Sequence, residues 1–491
     1  MSCAVGLSAF PPPTKMPTFS LSARIHLINT IISGGFQMEK KKIFLWNAVI
    51  LTVSNILLRM AGIWFRSVIT GRIGASGMGL YQLIFSVFML GITACTSGFG
   101  LAMTRLAAEG RASRGCVIRC LGVALLLSAA ALLVLFFGAD FIAVRLIQNS
   151  LAAQPLRILS FGLPFIACCA CLKGYFFAQR NTAVPVLGSF LEEGATIGVS
   201  LLLLNRTGHP ALESLMIGSS LGEVVSVVYL IPVFLLYTRK HGMAKESSGI
   251  MRQIIHIAGP MLAGSFLRNG LAGTENLLIP IGLRKNGADS VASLAQYGIV
   301  QGMVMPILCF PMSLISSAAM LMIPEIAESA AGKDARSVQH SAEYAFRYTL
   351  LFGFPTAAVF MVFAEELGTA FFGSPQAAQI LRIMAPLAPL MYVDNVVDNL
   401  LKGLDQQMYS LKVNVCDSIM RVALISTLVP VFGIRAYLAI LFASEIFNAS
   451  LSISRLLKVT KLRADITNWI LYPAVCGTLA FYALSFLKKL V

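Results

Sequence analysis

Arg59 and Arg66 stand seven residues apart in an apolar stretch, and a third arginine, Arg268, is followed seven residues later by Glu275. On a helix that spacing is about two turns, so each pair shares a face. A guanidinium keeps its charge when removed from water and grips phosphate through two parallel hydrogen bonds. Arg59, Arg66 and Arg268 are therefore the candidate binding groups for an anionic, phosphorylated cargo. Two plainer readings stand beside this one: Arg268 pairs with Glu275, and Arg66 reaches to a headgroup. A second set of residues is acidic: Glu192, Glu193, Glu223, Asp394, Asp398 and Glu445. Asp394 and Asp398 are four apart and point the same way, with Asn395 and Asn399 one step round the helix. Carboxylates so placed share a proton or a cation. Glu192, Glu223, Glu275, Asp394 and Asp398 are candidates for coupling to Na+ or H+, or for balancing the arginines. Asp417 and Arg421 have the spacing of a helix-stabilising pair.

Nothing in the chain reads as catalysis. It has no Gly-x-Ser-x-Gly elbow, no phosphate-binding P-loop and no His-Glu-x-x-His, so the expectation is a transporter and not an enzyme. The ten cysteines form no disulfide framework. Cys168, Cys169 and Cys171 fit no zinc spacing and have no histidine nearby, so they read as small packed residues. No metal site and no resident cofactor are expected.

The elements that position these residues follow from composition. Of 491 residues, 57% are hydrophobic and 12% charged, about half the charge of a soluble protein. A soluble core cannot hide so much apolar surface, which excludes soluble enzymes, nucleic-acid-binding domains and disordered scaffolds. The formal charge of +16 does not point to nucleic acid. Its lysines and arginines cluster in short loops between apolar runs, as topology signals and contacts to anionic lipid.

With about 20 residues per crossing, spans fall near 44–65, 78–99, 116–138, 157–177, 184–205, 213–237, 254–283, 294–322, 344–364, 378–401, 411–432, 434–456 and 468–487. Lys40–Lys42 precede the first span, and Arg105, Arg111, Arg114, Arg180, Arg239, Lys240, Lys245, Arg252, Lys333, Arg336, Arg455, Lys458, Lys461 and Arg463 follow even-numbered ones. The positive-inside rule then places the N-terminus in the cytoplasm. Residues 1–37, with Pro11-Pro12-Pro13, read as a disordered extension ahead of Met38.

Two signatures recur six spans apart. Gly79-Leu80-Tyr81-Gln82 at the start of span 2 answers Ala295-Gln296-Tyr297-Gly298 in span 8, and Leu172-Lys173-Gly174 answers Leu401-Lys402-Gly403. Six is even, so both halves enter the membrane in one orientation and are related by an axis along its normal. The expected architecture is all-α: a six-helix bundle over 38–240, a second over 250–464, and an additional helix in 465–491. A cavity between the bundles suits alternating access, and Arg59 and Arg268, in the first helix of each half, would line it.

Arg59-x-x-Gly62-x-x-x-Arg66, Arg72-Ile73-Gly74, Gly79-Leu80-Tyr81 and Gly98-Phe99-Gly100-Leu101-Ala102 resemble the stage V sporulation protein B group. So do Phe266-Leu267-Arg268 through Glu275-Asn276-Leu277-Leu278-Ile279-Pro280, Phe310-Pro311 and Leu321-Met322-Ile323-Pro324-Glu325-Ile326. That group lies in the polysaccharide-exporter branch of the multidrug/oligosaccharidyl-lipid/polysaccharide (MOP) flippase superfamily. The resemblance implies alternating access carrying an undecaprenyl-diphosphate-linked oligosaccharide, a peptidoglycan or spore-cortex precursor, to the outer leaflet of a bacterial plasma membrane. It also implies that Arg59, Arg66 and Arg268 meet the diphosphate. The expected partners are that lipid-linked oligosaccharide and membrane lipids, with no nucleic acid, and the protein acts as a monomer. Where the family often carries a basic residue one turn after the span 5 glutamate, this chain has Glu193, Gly194, Ala195 and Thr196 after Glu192, and related lipid II flippases have fourteen spans. The competing reading is an ion-coupled antiporter of small cationic or amphipathic compounds. A membrane-embedded glycosyltransferase is disfavoured because the outward loops are short.

Overall fold

The computed structural model describes the backbone of residues 21–109, 113–205, 210–241, 250–332, 335–462, 465 and 467–490, and most side chains from residue 49 onward. Two units are distinguished, Met1–Val49 and Ile50–Val491. Of the segment 1–37, residues 1–20 lie outside the described residues and 21–37 have helical backbone.

Among the described residues every regular element is helical. Helix α1 covers Leu21–Thr96 and α2 Phe99–Ala108. Then come α3 (Arg114–Phe137), α4 (Ala153–Ser160), α5 (Leu163–Ala178), α6 (Ala183–Leu204) and α7 (Ala211–His241). The second half holds α8 (Ile250–Lys285), α9 (Ser290–Tyr297), α10 (Met305–Ala331), α11 (Ala335–Val362), α12 (Ala364–Phe372), α13 (Pro375–Met384), α14 (Ala388–Gly403), α15 (Gln407–Phe432) and α16 (Ile434–Thr460). Helix α17 (Tyr472–Leu490) closes the chain. A few helix starts carry side-chain caps: Ser113 Oγ accepts from Cys116 N at 3.1 Å, and Ser374, followed by Pro375, accepts from Ala377 N at 3.2 Å.

Among the described residues ten helical stretches are long and apolar enough to cross a membrane, eleven when the pair Ser150–Ser160 and Leu163–Ala178, bent by 44°, counts as one. Val49–Ala108 is 60 residues long, about three times what one crossing needs. It is divided at Gly74, whose φ of 68° and ψ of −178° suit a residue without Cβ. The 36-residue α8 is less apolar because it carries Arg252, Arg268 and Glu275. The thirteen runs read from the sequence fall on helical segments, of which ten or eleven are long and apolar enough to cross.

Helices before His241 pack chiefly on one another, as do those after Ile250. Close backbone approaches are among the contacts that join the halves. Near Gly74, a Cβ on Gly79 would lie 2.0 Å from Leu294 O, and one on Gly298 would lie 2.3 Å from Ala75 O. The π-helical turn Gly298–Val304 brings this face of small residues against α1. Toward the other end, Gly98 meets the backbone of Ala258. Between them Asn276 Nδ2 donates to Ser86 Oγ at 3.1 Å and Asn269 Nδ2 to Thr93 Oγ1 at 2.6 Å.

Candidate functional site

Where the first arm of α1 faces the π-helical turn and α10, the halves leave a recess of about 430 Å³. It is lined by Arg59, Gly62, Ile63, Arg66, Gln82, Gln301, Met305, Pro306, Cys309 and Phe310. Two arginines and two glutamines supply its polar side chains, no carboxylate is among the described residues that line it, and Glu193 Oε1 lies behind Gly62, 3.8 Å from where a Cβ on that glycine would be. Arg59 is exposed and Arg66 half-buried. Neither side chain has an ion pair or hydrogen bond among the described residues.

A second recess, about 260 Å³, opens behind the first and lies wholly within the first half. Gly62 and Arg66 border both. Its far wall carries Glu192, Glu193 and Thr196 of α6 and Ser219, Ser220 and Glu223 of α7. Glu192 is paired: Lys173 Nζ lies 2.8 Å from its Oε2 and also donates to Ser189 Oγ at 3.1 Å. The basic partner absent one turn after Glu192 is thus supplied by Lys173 of α5, from the Leu172-Lys173-Gly174 signature. Cys169 Sγ and the carboxylates of Glu192 and Glu223 lie within 4.8 Å of one another, the one described trio whose atom types could hold a metal. Lys173 already engages Glu192 there. Cys169 and Cys171 are buried, as packed residues.

The third predicted arginine is placed differently. Arg268 is exposed and borders neither recess, so the structure does not bring it together with Arg59. It does not pair with Glu275 either. Glu275 is buried and meets Arg421 of α15 at 3.3 Å, and Arg421 Nε also lies 3.3 Å from Asp417 Oδ2. The pair read for Asp417 and Arg421 is present, extended across helices to Glu275. Ser444 Oγ donates to Asp417 Oδ1 at 2.6 Å.

Asp394 and Asp398 lie outside both recesses, in a polar seam among α14, α15 and α16. Asn414 Nδ2 reaches Asp398 Oδ2 at 3.4 Å and Asn448 Nδ2 donates to Asn414 Oδ1 at 3.1 Å. Asp394 Oδ1, Asp398 Oδ1 and Asn448 Oδ1 are buried without a partner among the described residues. This surplus of oxygen acceptors is of the type that takes a hard cation or a proton. Sequence reasoning missed Gln82 and Gln301, which face the arginines, because uncharged residues in an apolar run carry no distinguishing signal.

Residues 44–330 match the family described as polysaccharide biosynthesis protein, and 287–427 match MatE. The first match covers more than half of the chain. The chain belongs to the polysaccharide biosynthesis protein family. Stage V sporulation protein B of Bacillus subtilis (strain 168) is 27% identical over 463 residues, 91% of this chain and 87% of that protein. Sporulation protein YkvU of the same organism is 21% identical over 356 residues, 70% and 78% of the two chains. Among solved structures, an inward-facing multidrug resistance MATE family transporter of the MOP superfamily superposes with a TM-score of 0.65 at 15% identity, covering 83% of this chain and all of that one. A Pyrococcus furiosus MOP superfamily transporter described by a reversed polarity of its binding pocket gives 0.60 at 15% identity, over 89% and 96%. The likeness bears out the expected all-helical fold.

Proposed function

We propose that this chain is an alternating-access flippase that moves an undecaprenyl-diphosphate-linked oligosaccharide from the inner to the outer leaflet of a bacterial plasma membrane, acting as a monomer with a cytoplasmic N-terminus. One observation carries the reading. Arg59 and Arg66 border a recess shared by both halves, unpaired among the described residues, with Gln82 and Gln301 beside them and no carboxylate among the described lining residues. Such a wall suits a diphosphate, whose oxygens accept from several donors at once. Apolar Ile63, Met305 and Phe310 continue it toward the lipid part of the cargo. The acceptor-rich seam around Asp394 and Asp398 would hold a coupling Na+ or H+.

A second reading has its own observation. Three carboxylates, Glu192, Glu193 and Glu223, face the smaller recess and would suit a cation, as in an antiporter of small cationic compounds. Binding separates the two. Farnesyl diphosphate and ethidium are titrated onto the purified protein, beside Arg59→Gln and Arg66→Gln. Since a hydrogen bond to a charged group contributes about 1.5–3 kcal/mol, each variant loses at least about tenfold in diphosphate affinity and none for ethidium. Ethidium binding that Glu223→Gln abolishes, with no diphosphate binding, supports the antiporter instead.

A further inference from the structure

Away from these recesses, a crevice of about 280 Å³ opens between the start of α3 and the end of α7. Arg114, Val117 and Ile118 line one side, and Phe234, Leu235, Thr238 and Arg239 line the other. The spacing orders them by depth. Arg114 is the first residue of α3, and Val117 and Ile118 lie one turn further in, roughly 5 Å at 1.5 Å per residue. On α7 the order runs the other way: Arg239 lies nearest the helix end and Phe234 and Leu235 one turn or more deeper. Both arginines therefore stand at one level, at the mouth, and the apolar residues stand together beneath them.

The floor is firm. Phe234 packs edge-on against Tyr175 at 5.1 Å and Phe176 at 6.4 Å, and Tyr237 meets Phe176 at 5.5 Å. Val117 and Thr238 are buried, while Ile118 and Leu235 are 67% and 49% exposed at the crevice's flanks. Both arginines are exposed, and neither has an ion pair or hydrogen bond among the described residues, whereas neighbouring Arg105 is held by Glu109 at 3.0 Å.

We propose that this crevice binds an anionic phospholipid, with its phosphate between Arg114 and Arg239 and the first part of an acyl chain against Phe234 and Val117. Two cations over an apolar slot at the end of membrane-spanning helices match an amphiphile whose charge and chain are joined in that order. A soluble anion would leave the slot empty, and a neutral lipid would leave both guanidiniums without a counter-charge. The volume fits the phosphate–glycerol end and a few methylenes, so the rest of the chain runs along Ile118 and Leu235.

The test is binding of phosphatidylglycerol and phosphatidylcholine to the full chain in neutral detergent, read by native mass spectrometry. The wild type should prefer phosphatidylglycerol. The Arg114→Gln/Arg239→Gln variant should lose about 30-fold for that lipid, from about 1 kcal/mol per basic residue, and Arg145→Gln, outside the crevice, should lose nothing. Ile118→Trp, which fills the slot and keeps both charges, should also lose it. If the double variant does not fold, each single variant decides, with an expected loss of about fivefold. Unchanged phosphatidylglycerol binding in the arginine variants or in Ile118→Trp overturns the proposal. So does inorganic phosphate that displaces the lipid at equal concentration.

Discussion

The contact between Gly79 and Gly298 makes a demanding prediction. Replacing Gly298 by Ala adds one methyl group, and in the present arrangement that carbon would sit 2.3 Å from Ala75 O and 2.5 Å from Gly79 N. Both neighbours are backbone, so neither can swing aside. Real Cβ contacts essentially never fall below 3.0 Å, so the two helices must part by roughly 1 Å, an overpacking that typically costs about 1–3 kcal/mol. If this seam closes one end of an alternating-access cycle, the closed state loses that amount relative to the open one, a shift of about 5- to 150-fold in their ratio. Met78, fully buried beside Gly302, reports on it. A cysteine at position 78, in a background without the native cysteines, should react with a maleimide faster by a factor in that range when Gly298 is Ala. Gly122→Ala, whose Cβ meets nothing within 4 Å, should leave the rate alone. Equal rates for Gly298→Ala and Gly122→Ala would refute the argument that this seam is a tight closure.

Arg421→Met strips the partner from two buried carboxylates, Glu275 and Asp417, and should cost about 3 kcal/mol, the low end for a broken buried pair because Arg421 keeps a quarter of its side chain exposed. A lowered melting midpoint, partly restored by adding Asp417→Asn, checks this. Lys173→Met and Glu192→Gln should each destabilise, and the double variant by less than their sum, with a coupling of about 1 kcal/mol. Additive losses in the same melts would show that the 2.8 Å contact does not couple them. At the end of α17, Lys488 Nζ lies 2.6 Å from Glu366 Oε1, and its hydrogen bond holds the Glu366 carboxyl below its ordinary value of 4.5. A depressed pKa contributes stability above the unfolded value that is lost as pH falls through the folded one. Glu366→Gln should therefore melt slightly lower than the wild type at pH 7, and the gap should close below pH 4. A gap that persists at pH 3 contradicts the pairing.

The spans were legible because bilayer crossing imposes one strong, local requirement, a long apolar run, and each predicted run lies in a helix. The pair Asp417–Arg421 was legible for the same reason, being four residues apart on one helix. Pairings made by folding were not: Lys173 meets Glu192 across two helices, and Arg421 meets Glu275 across 146 positions of chain. The duplicated signatures led to the expectation that Arg59 and Arg268 share a cavity, but the halves meet unequally. The second arm of α1 packs along α8 through Ser86 and Thr93, while the first arm stands off from α10 and leaves the recess there. A repeat in sequence sets which helices correspond, and the seam between the halves decides which of their residues face a common space.

Arg59 and Arg66 are proposed to carry a lipid-linked diphosphate across the bilayer. The direct measurement is translocation in proteoliposomes of a fluorescent undecaprenyl-diphosphate sugar, followed from one leaflet to the other, for the wild type beside Arg59→Ala and Arg66→Ala. Transfer by the wild type is expected, and its loss in both variants, with their melting midpoints unchanged. A wild type that leaves the lipid in place, or variants that move it as fast, would contradict the account.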